Sequence, residues 1–170
     1  VIDADATAHR VYDPGTPLAA EILQRYGDGI KNSQGGIDRK ALGKIIFKDP
    51  QEKKWLEAKT HPATRQKIAE AIQEAQGQGA SLIIVEAALH VETGYYKDFE
   101  GLIVVHADSE TQIRRLKERD AITREEAEQM LKNQMSVEEK RSYATWVIDN
   151  NGPLENTGNQ VKQLYQNLMN

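Results

Sequence analysis

The sequence predicts an α/β protein built on a parallel sheet. Three short apolar runs rich in β-branched residues, at 82–85, 102–105 and 146–148, predict buried strands. Their apolar residues are continuous rather than alternating, which is typical of strands covered on both faces. Helical patterns lie between these runs, and strands that alternate with helices indicate a parallel sheet. Residues 1–2 (Val-Ile) predict a fourth strand, cut short at the start of the chain.

The first half of the chain carries helical patterns. Apolar residues over 18–26 recur at helical spacing and stop at Gly27, a residue that favours helix ends. Asp38 is placed to cap a second helix whose apolar residues fall within 41–46. Between them, the polar and glycine-rich segment 32–36 (Asn-Ser-Gln-Gly-Gly) predicts a turn.

Two prolines predict two further helix starts. Pro50 and Pro62 each open a helical pattern, and Pro is favoured at the first position of a helix. The second of these helices is expected to end near Gly77. Because 17–77 contains no convincing strand, we expect a helical insertion or lid beside the sheet.

Capping boxes predict the helix starts of the second half. Each consists of Ser or Thr followed three residues later by Glu or Gln. The four candidates are Ser109 with Gln112, Thr123 with Glu126, Ser136 with Glu139, and Thr157 with Gln160.

Composition excludes several classes of function. The 170 residues suffice for one domain, and 22 basic against 26 acidic residues give a net charge of −4. That balance argues against a general binder of nucleic acid or anionic membrane. With no cysteine and four scattered histidines, we expect neither disulfides nor a zinc site. No apolar run approaches the ~18 residues that span a bilayer, so we expect a cytoplasmic protein.

Carboxylates follow the predicted strands. Ligands of open α/β sheets bind beyond the carboxyl ends of the strands, so these residues are candidates for a site. Asp3 and Asp5 follow the first strand; strand alternation predicts that only one enters a cleft while the other caps or pairs. Glu86 follows the second strand, whereas Asp108 and Asp149 are expected to cap helices.

One segment concentrates basic residues. Arg115 and Arg119 are four residues apart and share a face of a helix, where guanidinium groups suit phosphate. The alternative is a solvated helix face, paired with Glu110, Glu118 and Asp120. The 170 residues contain no Gly-x-x-x-x-Gly-Lys-Ser/Thr phosphate loop, no dinucleotide fingerprint and no Gly-x-Ser-x-Gly elbow.

Six segments, in order, are similar to the motifs of one family. They are the Val-Ile-Asp-Ala-Asp opening with Ala8 and Arg10, segment 32–43, His61-Pro62, segment 85–94, segment 115–120 and segment 147–152. Together they resemble the dephospho-CoA kinase family of phosphate-loop nucleotide kinases. The resemblance implies a three-layer parallel sheet of the phosphate-loop kinase type. It also implies a helical substrate-binding subdomain over 13–80 and an arginine-rich lid over 114–145, within a single kinase domain over 1–170.

The resemblance implies ATP-dependent phosphorylation of the ribose 3′-hydroxyl of dephospho-CoA, the last step of CoA synthesis. Asp5 matches the general base and Arg119 the lid arginine on the ATP phosphates, with Arg115 its neighbour. Asn150 and Gly152 fall in the adenine loop. The substrate-side residues implied are Arg10, His61, Glu86 and Leu89. Mg²⁺ is expected with ATP, held by Glu86 through water or not by protein groups at all; a strand-end cap is the alternative role of Glu86.

The chain departs from the family pattern in two places. Ala88, His90 and Val91 stand where Pro, Leu and Phe are usual, which affects the substrate wall. The family's first strand, phosphate loop and first helix have no counterpart, so we expect an N-terminally shortened kinase. As given, the chain is expected to be inactive, and poorly folded or gapped in its sheet. The alternatives are another small-molecule kinase of this fold and a non-catalytic CoA-ligand-binding fragment or pseudokinase; the oligomeric state is not predicted.

Overall fold

The computed structural model describes residues 1–169 and contains two compact units, 1–87 and from Ala88 onward. The first unit holds β1 (Ile2–Asp3), α1 (Ala4–Arg10), α2 (Pro17–Tyr26), α3 (Arg39–Lys48), α4 (Pro50–Gly77) and β2 (Val85–Glu86). The second holds β3 (Ile103–His106), α5 (Ser109–Asp120), α6 (Arg124–Lys132), α7 (Val137–Arg141), β4 (Trp146–Asp149) and α8 (Leu154–Met169).

The strands form two parallel pairs. In the first unit β1 pairs with β2, with Ile2 opposite Val85 and Asp3 opposite Glu86. In the second unit β3 pairs with β4, with Ile103 opposite Trp146 and His106 opposite Asp149. The α/β class with parallel strands is therefore confirmed, while the three-layer sheet and the lid stay predictions.

The strands are shorter and more exposed than the sequence predicts. Only the last residue of 82–85 belongs to a strand, although the Ile84 carbonyl accepts a hydrogen bond from Ile2 N at 2.7 Å. Val104 and Ile148 are buried, but Val105 is 53% and Val147 43% exposed. The prediction of strands covered on both faces is wrong for these residues, because neighbours in a strand point to opposite faces and only one face is packed.

The named elements between β1 and β2 are all helical, as predicted, and they share a core; the substrate-binding subdomain over 13–80 stays a prediction. A 3₁₀ turn and the predicted 32–36 turn connect α2 to α3. In the second turn the Asn32 carboxamide oxygen accepts from Gln34 N and Gly36 N at 3.0 Å each. One cluster of buried apolar side chains in this region consists of Val11, Leu18, Ala19, Ile22, Ile30, Ile37, Leu42 and Leu56. Burial of this apolar surface is the main stabilising contribution in the first unit.

The predicted helix start at Pro62 is wrong. Asp49 caps α4, its carboxylate accepting from Gln51 N at 2.8 Å, and the helix then runs through Pro62 to Gly77. Pro62 lacks the N–H that would bond to the carbonyl of the preceding turn, which costs about 3 kcal/mol in a helix interior. Leu56 and Ile68 are buried on either side of Pro62, so packing of one continuous helix outweighs that cost.

Two of the four capping boxes are confirmed: Thr123 with Glu126 opens α6, and Ser136 with Glu139 opens α7. The other two are wrong. Asp108 caps α5 by accepting from Thr111 N at 2.8 Å, as expected of it, which leaves Ser109 inside the helix. Thr157 lies inside α8, which begins at Leu154.

No helix within residues 1–169 is long and apolar enough to cross a membrane.

Candidate active site

The first turn of α1 carries the candidate base. Asp3, at the end of β1, caps the helix by accepting from Ala6 N at 2.8 Å, so Asp5 stands in the first helical turn. Asp3 therefore caps a helix, as expected of one of the two carboxylates, but both Asp3 and Asp5 line the cavity described below, so the prediction that only one enters a cleft is wrong. Strand alternation does not separate the two side chains, because the helix begins at Ala4. Asp5 and His9, four residues apart, share one face of α1.

This face of α1 borders an open cavity of about 520 Å³. Its lining includes three carboxylates, two guanidinium groups and one imidazole, so the cavity presents both negative and positive groups. The lining residues are Asp3, Asp5, Ala6, His9, Arg10, Asp13 and Arg39. Two of the predicted site residues, Asp5 and Arg10, are therefore brought together.

Arg39 is a cavity residue that the sequence reasoning missed. From the first turn of α3 it donates to His9 Nδ1 at 3.0 Å, to the His9 carbonyl at 2.6 Å and to Asp13 Oδ1 at 3.2 Å. A guanidinium group only donates, so His9 Nδ1 accepts and the ring proton resides on Nε2. Arg39 belongs to the 32–43 segment that carries the family resemblance. Its partner His9 on α1 lies 30 residues earlier in the sequence, so only the folded structure shows the contact.

The other predicted residues of the first unit lie apart from the cavity lining. Glu86 sits at the end of β2 with Asp3 as its partner on β1, and its side chain is exposed. His61 is exposed in the middle of α4, a helix that packs against α1, but it is not among the residues that line the cavity.

In the second unit, α5 carries the predicted phosphate arginines. Arg119 donates from Nε and Nη2 to the carboxylate of Asp120, both at 2.7 Å, and its side chain is 68% exposed. This pairing raises the pKa of Arg119 and lowers that of Asp120. Arg115 is half-buried, and no residue within 1–169 accepts a hydrogen bond from it. Arg124, on α6, pairs with Glu110 and Glu128, so the alternative of a paired surface helix is met only in part.

The loop after β4 holds Asn150 and Gly152. The prediction that Asp149 caps a helix is wrong. Its carboxylate accepts from Asn151 N at 2.9 Å and from Asn151 Nδ2 at 2.7 Å, which closes a turn. The Asn151 side-chain oxygen accepts from Asp108 N at 2.8 Å, which joins this loop to the start of α5. Gly152 is exposed at the tip.

Leu89 lies in the turn that follows β2 and is 43% exposed. The same turn is tied to α7: Lys140 Nζ donates to Ala88 O at 2.8 Å and pairs with Glu92 at 2.9 Å. Burial raises the pKa of the Glu92 carboxyl, but the bonds from Lys140 and the backbone outweigh it, so the pKa lies below its usual range.

Residues 1–169 contain no cluster of three or more His, Asp or Glu side chains arranged to hold a metal ion. The carboxylates of Asp3, Asp5 and Asp13 line the cavity, and Glu86 is paired with Asp3 at the adjacent strand end. Mg²⁺ keeps most of its water and takes phosphate oxygens in nucleotide sites. The role of Glu86 as a ligand of Mg²⁺ through water therefore stays a prediction.

The fold and the site define an α/β protein with parallel strands and, beyond the end of one strand, a cavity lined by both acidic and basic side chains. The family model for dephospho-CoA kinase matches residues 1–156. A dephospho-CoA kinase of Geobacter metallireducens is 43% identical over 98% of this chain and 83% of the relative, and that of Geobacter sulfurreducens 42% identical over 97% and 84%.

Solved structures agree with the sequence comparison. A Thermus thermophilus protein superposes with a TM-score of 0.84 at 32% identity, covering 99% of this chain and 84% of its own. The dephospho-CoA kinase of Campylobacter jejuni gives 0.73 at 30% identity, with the same two coverages. The chain belongs to the dephospho-CoA kinase family.

Proposed function

We propose that this chain serves the phosphorylation of the ribose 3′-hydroxyl of dephospho-CoA by ATP. The observation that carries the proposal is Asp5, a carboxylate in the first turn of α1 that faces a cavity shared with Arg10 and Arg39. Dephospho-CoA carries a diphosphate and a free ribose, so a site for it needs both cations and a proton acceptor. The cavity supplies both.

In the proposed reaction Asp5 accepts the proton of the 3′-hydroxyl as that oxygen bonds to the γ-phosphorus of ATP. The bond from the γ-phosphorus to the bridging oxygen breaks, and ADP leaves. Phosphoryl transfer depends chiefly on positioning and charge neutralisation. Arg10 binds the anionic part of the substrate. The family resemblance assigns His61, Glu86 and Leu89 to the substrate as well, outside the cavity lining.

The nucleotide is assigned to the second unit's residues. Arg115 and Arg119 neutralise its phosphates, with segment 114–145 as the lid that excludes water. Asn150 and Gly152 contact adenine. Mg²⁺ supplies further charge neutralisation when bound with ATP, with Glu86 reaching it through water.

The test is turnover in a form of the protein with a phosphate loop placed ahead of Val1, because none occurs within the 170 residues. ATP and dephospho-CoA are supplied, and ³¹P NMR follows the appearance of a 3′-phosphomonoester. Formation of that product supports the proposal. Binding of dephospho-CoA without turnover would instead favour the non-catalytic alternative, and turnover of other alcohols alone would favour a different small-molecule kinase.

A further inference from the structure

The side chain of Asn150 is oriented by a residue of α8. Thr157 Oγ1 donates to Asn150 Oδ1 at 3.0 Å in a partly buried position. The Asn150 backbone N–H is also engaged, donating to the His106 carbonyl at 2.7 Å. No residue within 1–169 accepts a hydrogen bond from the Asn150 side-chain N–H groups. The amide therefore has its oxygen occupied and its two donors available.

A second residue of α8 fixes the loop's backbone. Gln160 Oε1 accepts from Asp149 N at 2.9 Å, and Gln160 Nε2 donates to Asp149 O at 2.8 Å. The side-chain amide thus bonds to both backbone polar groups of the last residue of β4, as a neighbouring strand would. The family match ends at residue 156, so Thr157 and Gln160 both lie beyond it.

The neighbouring amide has a different task. Asn151 accepts from Asp108 N through its side-chain oxygen and donates through Nδ2 to Asp149, so both polar atoms of its side chain hold the loop together. Asn150 is the amide of this loop whose donors remain open to a ligand.

We propose that Thr157 is a positioning residue for nucleotide binding: its hydroxyl holds the Asn150 amide with the N–H donors toward the base, so that Asn150 pairs with a ring nitrogen of adenine. The exocyclic 6-amino group of adenine is a donor and cannot pair with an N–H. The inference rests on the proposed role of Asn150 as an adenine contact. It adds the residue that sets the amide's direction, and the class of base atom that the amide recognises.

The experiment titrates adenosine into the ¹⁵N-labelled form of the protein that carries a phosphate loop ahead of Val1, the form used for the turnover assay, and follows amide signals by NMR. Thr157→Val keeps the shape but removes the hydroxyl; it should weaken adenosine binding roughly 3- to 10-fold, the range for one neutral hydrogen bond. Thr157→Ser should restore binding, and Asn159→Ala, an exposed position on the same helix, should leave it unchanged. Thr157→Ala replaces the Val variant if that variant's spectrum shows loss of the fold.

The Asn150→Ala variant distinguishes the positioning role of Thr157 from the proposed adenine contact of Asn150. If Asn150→Ala does not weaken adenosine binding, or the wild-type chain shows no saturable binding, the adenine contact itself is wrong. If Asn150→Ala weakens binding but Thr157→Val does not, only the positioning role is wrong. In the Asn150→Ala background, Thr157→Val should have no further effect; an additive loss would show that Thr157 acts by another route.

Purine riboside, which lacks the 6-amino group, tests the direction of the amide. If Asn150 pairs with a ring nitrogen, Thr157→Val should weaken purine riboside binding by the same factor as adenosine binding. Loss of the Thr157→Val effect with purine riboside would mean that Asn150 accepts from the amino group, which overturns the proposed orientation.

Discussion

Asp5 and Asp28 are both exposed carboxylates near a helix start, but only Asp5 borders the cavity. We predict that Asp5→Asn, in a form with a phosphate loop, lowers kcat about 10²- to 10⁴-fold, because the amide cannot take the hydroxyl proton. The Kd for dephospho-CoA should change little. Asp28→Asn is the matched control and should keep full activity. A kcat near that of the wild type would remove Asp5 from the proton transfer.

The two arginines best suited for comparison are Arg119 and Arg124, both in carboxylate pairs on neighbouring helices. We predict that Arg119→Lys, in the form with a phosphate loop, lowers kcat at saturating ATP about tenfold or more, since lysine keeps the charge but loses the two-pronged donor. Arg124→Lys should change kcat less. Equal, small effects in both variants would place Arg119 on a solvated surface with no part in the lid.

Arg25 and Tyr26 of α2 form a clamp with Glu52 of α4. Arg25 donates to both carboxylate oxygens of Glu52 at 2.7 and 2.8 Å, and the Tyr26 hydroxyl donates to the same carboxylate at 2.6 Å. The Arg25 guanidinium also lies 4.4 Å from the centre of the Trp55 ring. These hydrogen bonds from Arg25 and Tyr26 lower the pKa of Glu52 to about 2, and burial together with Glu52 raises that of Tyr26 to about 12.

The pH dependence of stability follows from those shifts. A carboxyl whose pKa falls on folding stabilises the protein above its unfolded pKa and loses that effect as pH falls. We predict that Glu52→Gln lowers Tm by roughly 2–4 °C at pH 7 and that the difference shrinks between about pH 4.5 and pH 2. Glu57→Gln, on the same helix with a looser partner at 3.8 Å, is the control. A Tm difference independent of pH would contradict the ionic origin of the clamp.

At this scale, sequence signals were sufficient where one local interaction decides the outcome. Asp38 and Asp108 cap the helices that they were predicted to cap, and Pro50 opens α4 as predicted. The Thr123 and Ser136 boxes open α6 and α7. Sequence signals failed where distant packing competes with the local signal. Pro62 is carried through a long helix by buried residues on either side, and Thr157 pairs with Asn150 instead of a helix start.

The site shows the same limit. Asp5 and Arg10 are close in the sequence, and the structure places both at the cavity. Arg39 joins them through contacts to His9 and Asp13, residues 30 and 26 positions away, which no local pattern encodes. The family motif assigns His61 to substrate binding, but His61 is exposed on α4 outside the cavity lining, so this role stays a prediction.

Across the whole molecule, each strand pair is short and partly uncovered. The strands are two to four residues long, Val105 and Val147 are about half exposed, and no residue of α8 is buried. Parallel strands are normally covered on both faces. Local opening needs little free energy where few apolar contacts hold an element.

We therefore predict two properties of the 170-residue polypeptide by itself. It should not transfer phosphate from ATP to dephospho-CoA, because no segment supplies the backbone donors, the lysine and the Mg²⁺-binding hydroxyl of a phosphate loop. Its strand amides should exchange with solvent faster than those of α2 and α4, whose side chains Ile22 and Ile68 are fully buried. Hydrogen exchange by NMR tests the second property, and an ATP-coupled assay, with the form carrying a phosphate loop as the positive control, tests the first. Slow exchange at β3 and β4 together with turnover would mean that these residues hold a phosphate site of another design, for which Arg10, Arg39 and Arg115 are the first positions to vary.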